Sequence, residues 1–118
     1  MLYMKWNEYG QIVGVNNAIR KYFGKEYYHE PDKTVLSWLN QNQFEHVVVL
    51  LIDAMGVSIF QKHLDSSSFF LSHLKEELTT VFPPTTTAAT TSLRTGKYPN
   101  ETGWIGWNEY FKEKDDNI

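Results

Sequence analysis

Two short segments hold the residue types best suited to chemistry. In Val47-Val48-Val49-Leu50-Leu51-Ile52-Asp53-Ala54-Met55-Gly56, a carboxylate closes an unbroken apolar run. In Phe82-Pro83-Pro84-Thr85-Thr86-Thr87-Ala88-Ala89-Thr90-Thr91, hydroxyls cluster where a helix can start. Six β-branched or leucine residues without polar alternation predict a strand covered on both faces, as in the middle of a parallel sheet. Asp53 then lies at the carboxyl end of that strand, where α/β sheets collect metals and substrates. Pro83 and Pro84 halt what precedes them, and residues 87–95 can wind into a helix stopped by Gly96, with Thr85 or Thr86 near its N-cap. A helix N-terminus favours an anion such as phosphate or sulfate, and a threonine hydroxyl there faces it. Each segment also has a plainer reading. Asp53 could cap the next helix, and the threonine run could be a linker or an ordinary N-cap.

The elements that must position these groups can be read along the chain. Residues 1–15 form a lead-in, aromatic and polar and without an assigned role. Asn16-Asn17 offers an N-cap for a helix carrying Ala18, Ile19, Tyr22 and Phe23, with Gly24 as its stop. A loop follows in which Tyr27, Tyr28 and His29 could line a pocket, although packing over a sheet edge is the commoner outcome. Val35, Leu36, Trp38 and Leu39 predict a second helix ending in the Asn40-Gln41-Asn42-Gln43 turn. After Asp53, residues 57–64 read as a helix, residues 65–68 as a loop with an N-cap, and Phe69 to Leu74 as a further helical stretch. Residues 78–82 read as a second strand delivering the threonines. A right-handed crossover would make the two strands parallel neighbours and bring Asp53 and Thr86 to one sheet edge. His63 and His73 read as solvated or dipole-compensating residues.

Composition narrows the function classes. With 118 residues, 42% hydrophobic and 15% aromatic, the chain suits one domain with a modest core. A net charge of −3 without a basic run gives no nucleic-acid-binding signature and no attraction to anionic membranes. Cysteine is absent, which excludes disulfides and thiolate metal sites. The start of the chain lacks an apolar leader and residues 47–52 are too few to span a bilayer, so a soluble cytoplasmic protein is expected.

The order of the motifs resembles the N-terminal part of the alkaline phosphatase superfamily, and more narrowly its type I phosphodiesterase/nucleotide pyrophosphatase branch. That branch shows an apolar strand ending in Asp-Gly-Met/Leu-Gly, a Pro-Thr-X-Thr nucleophile segment and a Thr-Gly-X-X-Pro-X-X-His-Gly stretch. Leu51-Ile52-Asp53-Ala54-Met55-Gly56, Phe82-Pro83-Pro84-Thr85-Thr86-Thr87 and Thr95-Gly96-Lys97-Tyr98-Pro99-Asn100-Glu101-Thr102-Gly103 are similar to these in turn. Lys21-Tyr22-Phe23-Gly24 and Gly103-Trp104-Ile105-Gly106-Trp107 resemble segments of uncharacterised bacterial members. The resemblance covers about Asn16 to Asp116.

It implies an α/β fold, part of a parallel (mixed) sheet sandwiched by helices, alkaline-phosphatase-like and incomplete. It also implies a metal-dependent phosphoric ester hydrolase acting on a small-molecule substrate, usually with two zinc ions. Asp53 would ligate one metal, and Thr86 would be both metal-bound and the nucleophile, with Thr85 in reserve. Two residues depart from the pattern: Ala54 replaces a glycine and is tolerable at negative φ, while Thr102 replaces the histidine, expected to serve packing or contacts behind the metals. Asn100-Glu101-Thr102 is a glycosylation sequon of no expected use without a secretion signal. The remaining ligands of the superfamily lie downstream, whereas His29, His46, His63 and His73 all precede Thr86, so residues 1–118 are expected to be the N-terminal portion of a catalytic domain. The alternative is a truncated non-catalytic remnant or an anion- or partner-binding module. A sulfatase-like or mutase-like branch is less well matched, since no Cys/Ser-based signature is present.

Overall fold

The computed structural model describes residues 10–108, 110–111 and 116–117. The order is β1 (Gly10–Gln11), α1 (Ile12–Tyr22), α2 (Lys33–Asn42), α3 (Val57–His63), α4 (Phe69–Ser72), β2 (Leu78–Thr79), α5 (Thr86–Thr95), α6 (Pro99–Thr102), β3 (Tyr110–Phe111) and β4 (Asp116–Asn117). Residues 1–9 of the expected lead-in lie outside the described residues; Ile12 to Val15, also assigned to it, belong to α1.

The packing centre is α1, which lies against both α2 and α5. Val13, Val81 and Ala88 are buried together, with Ile12, Ala89 and Tyr98 around them. Small residues make the α1–α5 approach possible. Ala88 and Ser92 are fully buried on α5, and a Cβ at Gly96 would come within 2.6 Å of Asn16 Oδ1. Asn16 and Asn17 are therefore interior to α1 and not its cap, which is Gln11. Asn17 is fully buried, and its amide is completely used. Nδ2 donates to the carbonyls of Val13 (2.8 Å) and Gly96 (2.9 Å), and Oδ1 accepts from the amides of Tyr28 (2.8 Å) and His29 (3.2 Å).

Local signals fixed the other helix ends. Gly24 sits at φ 66, the Gly24 amide donates to Lys21 and the Lys25 amide to Arg20, which closes the last turn of α1 in a Schellman arrangement. Asp32 caps α2 through Val35 (2.9 Å), Ser68 caps α4, and Thr85 caps α5 through Ala88 (3.2 Å). The Tyr27-Tyr28-His29 loop does not pack over a sheet edge. Tyr28 lies between Arg20, 5.1 Å from its ring centre, and Lys97 at 4.4 Å, while Lys21 sits over Tyr27.

The expected sheet is the main correction. Residues 47–52 form no strand, and Val48 is 91% and Leu50 76% exposed. β2 covers only Leu78–Thr79, and its parallel neighbour is β1, in the register Gly10↔Leu78 and Gln11↔Thr79. β3 and β4 pair antiparallel. Beyond these two short ladders no sheet forms among the described residues. A strand exists only when another backbone accepts and donates its hydrogen bonds. Residues 47–52 have the right side chains and lack that partner.

Candidate active site

Thr86 is the first residue of α5, and Thr85 immediately before it is the N-cap in extended conformation (φ −98°, ψ 153°). Their roles separate cleanly. Thr85 Oγ1 accepts from Ala88, its carbonyl accepts from Ala89, and its amide donates to the Pro83 carbonyl. Thr86 uses only its carbonyl, which accepts from Thr90 Oγ1 at 2.8 Å. Among the described residues its hydroxyl, and the amides of Thr86 and Thr87, are unengaged, as the first turn of a helix requires. Three threonines in a row would leave the assignment open; the extended backbone at Thr85 decides which one caps.

The far end of α5 is locked. Gly96 ends the helix at φ 71 and sits against Asn16 and Asn17, and Asn16 Nδ2 donates to the Arg94 carbonyl. The short α6 follows and packs on α5. Glu101 Oε2 accepts from the Tyr98 amide (2.7 Å) and meets His29 Nε2 at 2.6 Å. The Tyr98 amide, followed by His29, holds the Glu101 carboxyl below its ordinary value. Burial, followed by the charge of Glu101, raises Tyr98. His29 thus ties the aromatic loop to the Thr-Gly-X-X-Pro stretch, a contact between residues 72 positions apart that the sequence gives no sign of. Thr102 turns its hydroxyl to local use: it donates to the Pro99 carbonyl (3.4 Å) and accepts from the Trp104 amide (3.3 Å), finishing α6 before Gly103 at φ 77.

Asp53 stands apart from this. It is exposed in a turn, and its Oδ1 accepts from the next amide, Ala54, at 2.8 Å. The helix that follows is capped by Gly56 without a side chain, so Asp53 does not cap it either. Ala54 has φ 55, against the expectation of a negative value, so this chain makes with alanine a left-handed turn that a glycine would adopt without strain. Among the described residues no hydrogen bond or ion pair joins Asp53 to Thr86, and no common sheet edge brings them together, since residues 47–52 form no strand. No group of three or more His, Asp or Glu that could hold a metal ion gathers among them. Asp53 and Thr86 by themselves therefore do not make a two-zinc centre.

His63 is exposed in the last turn of α3, and His73 turns Nδ1 to the Phe69 carbonyl at 2.7 Å. An open apolar groove of about 920 Å³ lies between α2 and the α3–α4 pair, lined by Val35, Trp38, Phe60, Phe69, Phe70 and Leu74. Neither Asp53 nor Thr86 borders it. No helix among the described residues is long and apolar enough to cross a membrane.

No curated protein and no solved structure matches the chain. One family model does, over residues 47–117, a span that holds the Asp53 turn, the threonine cluster and the Thr95–Gly103 stretch. On that match the chain belongs to the type I phosphodiesterase/nucleotide pyrophosphatase family.

Proposed function

We propose that this chain contributes the nucleophile of a phosphoric ester hydrolase, with Thr86 attacking phosphorus. The family acts on small-molecule phosphate esters, is generally metal-dependent and points to an alkaline-phosphatase-like fold. The observation that supports Thr86 is its place at the head of α5 with hydroxyl and amide unengaged, while Thr85 is spent as the cap. In the attack a Thr86 Oγ1–P bond forms, the P–O bond to the leaving group breaks, and the hydroxyl proton passes to solvent. Water then cleaves the phosphothreonine and restores the hydroxyl. The first amides of α5 and its positive dipole end favour the phosphoryl charge.

Asp53 is proposed as one metal ligand. The metals of the family, zinc in the resemblance, would supply charge neutralisation, and their other donors have to come from beyond the described residues. A second reading is an anion- or partner-binding module without catalysis, which the unengaged Thr86 and Thr87 amides at the head of α5 would serve. Hydrolysis of p-nitrophenyl phosphodiester and monoester with added zinc separates the two. The catalytic reading expects turnover that Thr86→Ala abolishes and Thr85→Ala only reduces in step with stability. Turnover unchanged in Thr86→Ala overturns it, and none in the wild type with zinc favours the second reading.

A further inference from the structure

A cluster of cations sits at the end of α5 opposite Thr86. The helix has 10 residues, so its two ends lie about 15 Å apart. Asn16 Nδ2 holds the Arg94 carbonyl and Asn17 Nδ2 the Gly96 carbonyl, which brings that end beside the last turn of α1 with its Arg20 and Lys21. Arg20 stands 5.1 Å from the centre of the Tyr28 ring and Lys97 Nζ 4.4 Å from it, while Lys21 Nζ is 5.4 Å from the centre of Tyr27. The two cations on Tyr28 can be no farther apart than those two distances laid end to end, inside a Debye length of about 10 Å at 0.1 M salt, so their fields add. The rings are set by a buried group, since Asn17 Oδ1 accepts from the Tyr28 and His29 amides. No carboxylate answers these charges: among the described residues none of Arg20, Lys21 and Lys97 forms an ion pair. The Tyr98 amide and then His29 hold the Glu101 carboxylate, which Lys97 favours from beyond ion-pair reach. Arg20 uses Nε on Asn16 Oδ1 (2.7 Å) and Nη1 on the Glu26 carbonyl (3.4 Å), which leaves Nη2 open among the described residues. Cations in the last turn of a helix complement its dipole, and that accounts for Arg20, Lys21 and Arg94. It does not call for two cations on one tyrosine ring.

We propose that Arg20, Lys21 and Lys97, gathered on Tyr27 and Tyr28, bind a small anion that carries a diphosphate. The open side of the Arg20 guanidinium supplies N–H donors suited to phosphate oxygens, and each lysine adds an ammonium on a flexible stem. A diphosphate joins two charged groups through one oxygen, so it meets both cations of Tyr28 at once, where a single phosphate or sulfate meets fewer. Tyr27 and Tyr28 are exposed, so the cluster is open to such a ligand. A small anion fits better than a nucleic acid: the chain carries a net charge of −3 without a basic run, and a long polyanion would be repelled beyond these few residues. The site is about the length of α5 from Thr86, too far for one phosphoryl group to touch both, so it binds a ligand and takes no part in the attack on phosphorus.

The test is calorimetric titration of the full chain with inorganic pyrophosphate in the absence of zinc. It needs no turnover, so its failure is distinct from failure of the hydrolase reading. We expect saturable binding with a Kd in the millimolar range or tighter, and orthophosphate and sulfate weaker by at least about tenfold. Lys21→Gln with Lys97→Gln should weaken pyrophosphate by at least about tenfold, and the fold is kept because both side chains only rest on exposed rings. Lys33→Gln with Lys62→Gln, which removes the same charge elsewhere, should bind as the wild type does, and so should Thr86→Ala. Pyrophosphate should raise the Tm of the wild type and leave that of the Lys21→Gln, Lys97→Gln variant in place. No saturation up to about 10 mM, equal affinity for sulfate, a Kd that Lys21→Gln with Lys97→Gln leaves unchanged, or equal weakening in Lys33→Gln with Lys62→Gln overturns the site.

Discussion

Asn17 Nδ2 donates to the carbonyl of Gly96 across 2.9 Å, which joins the middle of α1 to the end of the helix that begins at Thr86. The same side chain accepts from the Tyr28 and His29 amides, so one buried amide holds three segments that are distant in sequence. Asn17→Ala takes this partner from the Gly96 carbonyl and from the Tyr28 and His29 amides, while the Val13 carbonyl keeps its helical bond within α1. Each buried group left without a partner costs about 1–3 kcal/mol. A loss of at least about 2 kcal/mol in urea unfolding is expected, with Asn17→Asp intermediate because it keeps both acceptor bonds. A loss under about 0.5 kcal/mol would show that water replaces the amide at little cost.

Ala54 adopts φ 55 at the position where the family pattern has glycine. A left-handed conformation costs an L-residue roughly 1–2 kcal/mol, and part of that is offset because alanine restricts the unfolded chain. Ala54→Gly should stabilise the turn by about 0.5–1 kcal/mol, and Ala54→Val, with its branched Cβ, should destabilise it. The check is the pair of Tm shifts, which must have opposite signs.

Glu101 is held below its ordinary value by the Tyr98 amide and then by His29. Its contribution is present above the unfolded value of 4.5 and is lost as pH falls through the lowered folded value. Acid melts of Glu101→Gln should therefore show a shallower loss of stability below pH 4.5 than the wild type. His29→Ala should shift the wild-type acid limb toward higher pH, since it removes one of the groups that favour the carboxylate. Superimposable acid limbs for Glu101→Gln and the wild type would contradict this account.

Val48 to Ile52 is an exposed apolar run whose backbone is unpaired among the described residues, a ready template for association. The isolated chain is expected to associate and to bind a hydrophobic dye. Val48→Lys with Leu50→Lys should reduce light scattering and dye binding while Tm stays within about 0.5 kcal/mol equivalent, because neither side chain is packed. A soluble monomer with no dye binding before mutation would show the run is shielded in solution.

The sequence by itself determined the features that depend on neighbours along the chain. Helix ends at Gly24, Asp32, Ser68 and Gly96 follow from side chains that reach two to four residues and from glycines that accept positive φ. The order of the Asp53, Thr86 and Thr95–Gly103 motifs was enough to indicate the family that the match over residues 47–117 established. Tertiary structure decided what depends on partners far away. Residues 47–52 have strand propensity in every side chain and remain unpaired among the described residues, because a strand is defined by the backbone beside it and none lies there. Asn17 and the His29–Glu101 pair gave no signal in the sequence, since burial and hydrogen bonding across tens of residues leave no local period to read. Which threonine caps and which is left free was open in the sequence as well, and only the backbone angles at Thr85 settled it.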